Sequence, residues 1–552
     1  MSEENRNIGG QPVFILGEDT ERTQGSDAQH QNIQAAKAVG DTVKSTLGPK
    51  GMDKMLVNSL GDIVVTNDGA TILDEMDIEH PAAKMVVEVA ETQDEEVGDG
   101  TSTAVILAGQ LLEKAENLLE QDVHPSVIAN GFRKISNVIE ETLEELTTEI
   151  DVNDKELLKN VAKTAMTGKS AEDSHELLTQ LSVDAIQEIT DKGKVDLDDI
   201  NVESKQGGSV GDSSLVEGMI LDKEKANNEM PSKVSDAKIA VLDTAIEVEE
   251  TQTDAEIQID NPEQMQEFLE REEETLKEMV NKIKQSGANV VISSEDIDDM
   301  AIHQMVNNDV FAIENLSSSD LEKVTKATGA STISNIDEAE ENDLGEASSV
   351  GEKTISGDKM VFIEGCKNPK ALTILVRGST KHIIEEAKRT LKDALSVLST
   401  AIRDGKVLPG GGATEIELAL TLRQYATSVE GREQLAIEEF ANALETLPRI
   451  LAENAGHNPI DTVIDLKSKH KSGNKHAGID AVSGKMKNMT ESGVVEPISV
   501  KKQALSSATE ASGMILRIDD VISGGSGGEA PGGAGGPGGA PGGMPGGMGG
   551  MM

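Results

Sequence analysis

The run Ala104-Val105-Ile106-Leu107-Ala108-Gly109-Gln110-Leu111-Leu112 contains no charged residue. A helix that is apolar on every side has to be enclosed by other elements, so this stretch demands a large core around it. What precedes it is as constraining. Asp99 stands between Gly98 and Gly100, and three hydroxyl residues, Thr101, Ser102 and Thr103, lead into the helix. Glycines let backbone approach backbone, and the unpaired N–H groups of a helix start face an anion. Asp99 could hold Mg2+ through oxygen, and the hydroxyls could donate to phosphate oxygens. An ordinary capped helix start has the same composition, so the segment alone leaves both readings open.

Three further segments bear on this choice. A helix beginning near His30, with Ile33, Ala36, Val39 and Val43 at helical spacing, is stopped by Leu47-Gly48-Pro49-Lys50-Gly51. Asp62 to Thr66 has the composition of a strand, and Asn67-Asp68-Gly69 is a tight-turn signal leading into Ala70-Thr71-Ile72-Leu73. On its own, Asp68 is then a turn residue. Far downstream, Gly410-Gly411-Gly412-Ala413 opens another apolar helix, and its glycines again permit close approach to a ligand. Gly168-Lys169-Ser170 looks like the end of a P-loop, but Lys163 occupies the position where that motif needs its first glycine, so the P-loop reading fails.

Five segments follow one another in a diagnostic order: LGPKGMDKMLV (Leu47 to Val57), NDGATIL (Asn67 to Leu73), GDGTSTAV (Gly98 to Val105), PGGGATEIE (Pro409 to Glu417) and RIDDVI (Arg517 to Ile522). On these the sequence resembles the archaeal group II chaperonins, the thermosome family, from about Gln11 to Ile522. The resemblance implies an α+β multidomain chaperonin fold. A mainly helical equatorial domain would comprise residues 1–150 and 404–523, and a small α/β intermediate hinge domain residues 151–218 and 370–403. Residues 219–369 would form an α/β apical domain with a helical protrusion as a built-in lid, and residues 524–552 a tail. The implied activity is that of an ATP-dependent chaperone that encloses non-native proteins in a double ring, with ATP and Mg2+ as cofactors. Its partners would be non-native clients and identical or homologous subunits, commonly eight per ring. A passive holdase ring and a small-molecule kinase are the competing readings.

Site residues carry over from the resemblance position by position. Leu47, Gly48 and Pro49 would line the nucleotide from one side. Asp99 would bind Mg2+, while Gly100, Thr101, Ser102 and Thr103 hold phosphates. Gly411 and Gly412 would approach the base and ribose, and Glu496 would accept from the ribose hydroxyls. Asp393 matches a catalytic aspartate that polarises the attacking water, and Asp68 would help to place metal and water. Lys169 matches a lysine that senses the terminal phosphate, though an exposed loop lysine is an equally ready account. Most relatives have threonine where this chain has Ser102, which keeps the hydroxyl and loses a methyl. For ring assembly, the resemblance implies that a strand at Val13 to Leu16 and a C-terminal strand around Ile515 to Ile518 meet the hairpin of a neighbouring subunit.

Charge narrows the partners. The 552 residues include 100 acidic and 50 basic, a net charge of −50. Such a surface disfavours nucleic acid and anionic membranes. No apolar stretch is long enough to span a bilayer and no secretory signal is evident. The single Cys366 excludes an intrachain disulfide and reads as a small buried apolar residue; together these suggest a cytoplasmic protein. Aromatic residues make up only 1%. The charge excess, which molar salt would screen, suggests the salt-rich cytoplasm of a halophilic archaeon.

Helical periods dominate to about Ile150, with one polar-faced helix expected from Ala129 to Ile150, and they return after Arg403. Between them lie strand-like runs at Ile239–Leu242, Val290–Ile292 and Thr373–Val376. Asn261-Pro262 predicts a helix start, and the apolar positions from Met265 to Ile283 predict an amphipathic helix ending before Gly287. Its C-terminal half should pack on its own domain, whereas Met265, Phe268 and Leu269 would serve the lid. Residues 524–552 contain 16 glycines, too many for a packed core, and are expected to be disordered.

Overall fold

The computed structural model describes residues 20–57, 61, 63–168, 174–190, 193–248, 262–366 and 372–524. Val13–Leu16, Lys169 and the 525–552 part of the tail lie outside them. Two compact units divide the chain: Met1–Gln31 with Ile518–Met552, and Asn32–Arg517. In the first, Thr20–Gln24 pairs antiparallel with Asp520–Gly524, Arg22 opposite Ile522. Arg22 Nε donates to both carboxylate oxygens of Asp520, at 2.9 and 3.0 Å. The C-terminal strand therefore lies beyond the expected Ile515–Ile518. Ile515 instead ends the helix Ile498–Ile515, and it and Leu516 are fully buried. Their apolar character belongs to a core helix, not to a strand.

The larger unit holds several cores. The uncharged run of residues 104–112 lies inside the helix Thr101–Leu119, where every residue from Ala104 to Leu112 is buried. Around it pack the helices Ser26–Val43, Pro81–Val97, Glu433–Leu444 and Ile498–Ile515, so both ends of the sequence contribute to one hydrophobic cluster. The region expected as one helix from Ala129 to Ile150 is two, Pro125–Lys134 and Ser136–Leu146, followed by a short strand Thr148–Glu149. Pairing of Thr148 with Val407 explains the early stop. No local pattern reveals a strand partner so far along the chain.

A second cluster joins the helices Lys155–Met166, His175–Ile189 and Lys381–Asp404. Beyond it a nine-stranded mixed sheet runs in the order Ile200–Gln206, Leu372–Gly378, Ser214–Leu221, Asp358–Cys366, Gly345–Ile355, Lys233–Leu242, Val290–Ser293, Phe311–Ile313, with Thr332–Ile333 added beside Lys233–Leu242. The three strand-like runs of the sequence lie within it. The helix Pro262–Gln285 begins on the expected proline, and Leu276, Val280 and Ile283 on its C-terminal half are buried against the sheet's companions. The side chains of Met265, Phe268 and Leu269 lie outside the described residues, as does the segment 249–261. Cys366 is half-buried, and burial pushes its thiol up to about 11.

Candidate functional site

Two helices meet end to end at Asp99. The helix Pro81–Val97 closes on Gly98, whose φ of 71° is left-handed, and the helix Thr101–Leu119 opens on Gly100, whose φ is 81°. Only Asp99 separates the two glycines. A Cβ on Gly98 would come within 2.2 Å of the Ser396 Cβ, and one on Gly100 within 2.8 Å of Val500 Cγ1. Both glycines are thus required by backbone conformation and by space. The Thr101 helix has no side-chain cap, so its first-turn N–H groups are open to an anion.

The Asn67-Asp68-Gly69 segment differs from the tight turn expected. The hairpin here is Lys54–Val57 with Ile63–Thr66, upstream of Asp68. Asp68 instead caps the short helix Gly69–Asp74: its Oδ2 accepts from the Thr71 N–H and the Thr71 hydroxyl, each at 2.8 Å. An aspartate before Gly-Ala-Thr suits a helix N-cap as well as a turn, and packing decided between them. Gly69 rests on the first turn of the Thr101 helix, where a Cβ would lie 2.5 Å from Ser102 Oγ. Asp68 and Asp99 are thereby brought to one place.

A cleft of about 460 Å³ opens there. It is lined by Leu47, Gly48, Pro49, Asp68, Asp99, Gly100, Thr101, Ser102, Thr103, Gly411, Gly412 and Glu496, all named from the sequence. Asp393 is not among the lining residues. It lies on the helix Lys381–Asp404, one turn before the Ser396 that abuts Gly98. Sequence reasoning missed Asn160, Lys163 and Thr164, which line the cleft from the helix Lys155–Met166. It also missed Glu415 and Lys501. These residues carry no local signal, because only the fold brings them to the glycine loops.

Glu415 and Lys501 form a buried charge network with Glu496. Lys501 Nζ lies 2.6 Å from Glu415 Oε1 and 3.2 Å from Glu496 Oε1. Burial works against the Lys501 charge, yet the two carboxylates hold its ammonium above the usual lysine range. For Glu496, burial pushes the carboxyl up, Lys501 pulls it down, and Glu415 and Asp99 push it up again. The balance is a carboxyl raised to about 7. One cation does not neutralise two buried carboxylates, and the excess negative charge adds to burial in raising Glu496. Asp480, also in the cleft lining, is held well below the usual carboxylate range by its hydrogen bonds from Lys487 and Ser483.

The donor set suits a magnesium nucleotide. Two carboxylates and three hydroxyls are hard oxygen ligands, and Mg2+ commonly takes one or two carboxylates together with phosphate oxygens. Leu447, Leu451 and Ile479 add apolar lining to the cleft, which a planar base can pack against.

Comparison with known proteins gives the family. Residues 39–526 match the family model for the TCP-1/cpn60 chaperonin family. The chain is 56% identical over 518 residues to a thermosome subunit of Methanopyrus kandleri, covering 93% of this chain and 95% of that protein. It is 54% identical over 522 residues to thermosome subunit beta of Methanothermobacter thermautotrophicus, covering 95% and 96%. It is 53% identical over 522 residues to thermosome subunit 1 of Haloferax volcanii, covering 94% and 93%. Four of the five motifs contribute residues to one cleft, and with a match running through nearly the whole sequence the chain belongs to the TCP-1/cpn60 chaperonin family.

Proposed function

We propose that this chain is a subunit of an ATP-driven folding chamber, and that the cleft at Asp99 is its nucleotide site. The observation that carries this reading is the convergence of Asp68, Asp99 and an uncapped helix start on one cleft. ATP would lie with its base between Gly411, Gly412 and the apolar wall, its ribose toward Glu496, and its phosphates on Gly100, Thr101, Ser102 and Thr103. Mg2+, held by Asp99 with help from Asp68, would neutralise phosphate charge. Lys169 would answer to the terminal phosphate through its ammonium.

Asp393 stands apart from the cleft lining, on a helix whose hydrophobic cluster differs from that of the Thr101 helix. We read residues 1–150 with 404–523, 151–218 with 370–403, and 219–369 as equatorial, intermediate and apical domains. Rotation of the intermediate domain would bring Asp393 onto the attacking water, so hydrolysis follows closure. Closure of the apical lid would then enclose a non-native client. The family and its thermosome relatives support a ring assembly of identical or homologous subunits; we read two stacked rings of eight in the cytoplasm. Among the described residues no helix is long and apolar enough to cross a membrane. A holdase without turnover is disfavoured by the complete set Asp68, Asp99 and Asp393.

The test is steady-state Mg-ATP hydrolysis by assembled wild type and Asp393→Ala in molar KCl. A general base or water-positioning group contributes ~10²–10⁴-fold, and a loss of that size with rings intact is expected. Equal rates would place water activation elsewhere.

A further inference from the structure

We infer that Gln93 is a positioning residue for the phosphate end of the nucleotide, a brace that fixes the Asp99 turn to the start of the helix that carries Lys501. The inference rests on the cleft being the nucleotide site. Gln93 lies on the helix Pro81–Val97, one turn before its end, and is fully buried. Its Nε2 donates to the Asp99 carbonyl at 2.7 Å and to the Val500 carbonyl at 3.1 Å. Both partners are acceptors, so the amide nitrogen has to face them. Asp99 precedes the Thr101 helix and its carbonyl has no place in that helix's ladder. The amide of Gln93 supplies it with a donor.

The second contact reaches a different part of the cleft. Val500 lies in the first turn of the helix Ile498–Ile515, next to Lys501, which holds Glu415 and Glu496. A single amide therefore links the Asp99 turn to the segment that carries the buried charge network. Space between the two is filled to contact: a Cβ on Gly100 would meet Val500 Cγ1 at 2.8 Å and Gln93 Nε2 at 3.0 Å. The turn has little freedom while the amide is in place.

Gln93 keeps this role at a cost. Its Oε1 is buried and has no hydrogen-bond partner among the described residues. A buried acceptor left without a donor lowers stability. A residue chosen for packing alone would be served better by an apolar side chain of the same length, such as methionine. The amide is retained for its two N–H bonds, and these act on the backbone next to the Asp99 carboxylate. The left-handed glycines on either side leave the turn without intrinsic stiffness, so its aim depends on such a tether.

The experiment compares affinities without turnover. Wild type, Gln93→Met and Asp99→Ala, each assembled in molar KCl, are titrated with Mg-ADP and, separately, with adenosine. For Gln93→Met, Mg-ADP affinity should fall about tenfold, the scale of one or two buried hydrogen bonds, while adenosine affinity stays within about twofold. A general loosening of the cleft would weaken both ligands alike, and that result, or an unchanged Mg-ADP affinity, overturns the proposal. Gln93→Leu, which is also uncharged and lacks the amide donor, is read by the same pair of affinities if the methionine variant does not assemble. If neither variant assembles, Gln93 is a structural residue and the proposal fails. Asp99→Ala separates the two levels of inference. If it too leaves Mg-ADP binding unchanged, the cleft is not the nucleotide site; if it abolishes binding while Gln93→Met does not, only the brace is wrong.

Discussion

Glu496 is a carboxyl whose burial outweighs the attraction of its neighbour Lys501. Its ordinary value of 4.5 is raised to about 7 in the fold. Between those values the folded state binds a proton that the unfolded chain has released. The stabilisation is therefore complete below about 4.5 and is lost as pH rises through about 7. Glu496→Gln cannot titrate and keeps its hydrogen-bonding capacity. The melting temperature of nucleotide-free Glu496→Gln, relative to wild type, should rise by roughly 1–3 °C between about pH 5.5 and about pH 7.5. A flat difference would mean that Glu496 is ionised throughout. Glu496 was legible in the sequence through its resemblance to a ribose-binding position. Its charge partners were not, because Lys501 meets Glu415 only across two helices far apart in the chain.

The junction of the helices Pro81–Val97 and Thr101–Leu119 concentrates the constraints on secondary structure. Its glycines were legible as glycines with a purpose, and both adopt left-handed φ. What packs on them was not legible. Gly98→Ala would place a methyl group within 2.2 Å of the Ser396 Cβ while holding alanine in a left-handed conformation. The backbone term alone is about 1–2 kcal/mol, and the overlap forces the Lys381–Asp404 helix away from the turn. Gly98→Ala should lower the melting temperature and also the ATPase rate, since the displaced helix carries Asp393. A rate equal to wild type at full occupancy would show that the helix does not deliver Asp393. The misjudged elements share one cause. The Ala129–Ile150 helix breaks for a strand partner at Val407, and Asp68 caps a helix because Gly69 seats on Ser102. In both, a local pattern allowed two structures and a distant contact chose.

At the scale of the molecule, a net charge of −50 acts on every domain at once. Exposed carboxylates repel one another across the surface, and only the 50 basic residues offset them. Raising KCl from ~0.1 M to ~1 M shortens the Debye length from about 10 Å to about 3 Å and screens this repulsion. Melting temperature should increase over that range, and a protein most stable at the low end would show that the charge is balanced locally. The sequence by itself determined the composition of the core, the glycine-flanked turn at Asp99 and the family, because apolar runs, flanking glycines and ordered motifs are local properties. Only the tertiary structure decided which residues share the cleft. The brace from Gln93 to Val500, the reach of Lys501 to Glu415 and the position of Asp393 outside the lining depend on contacts between segments distant in the chain, and no local pattern encodes such a contact.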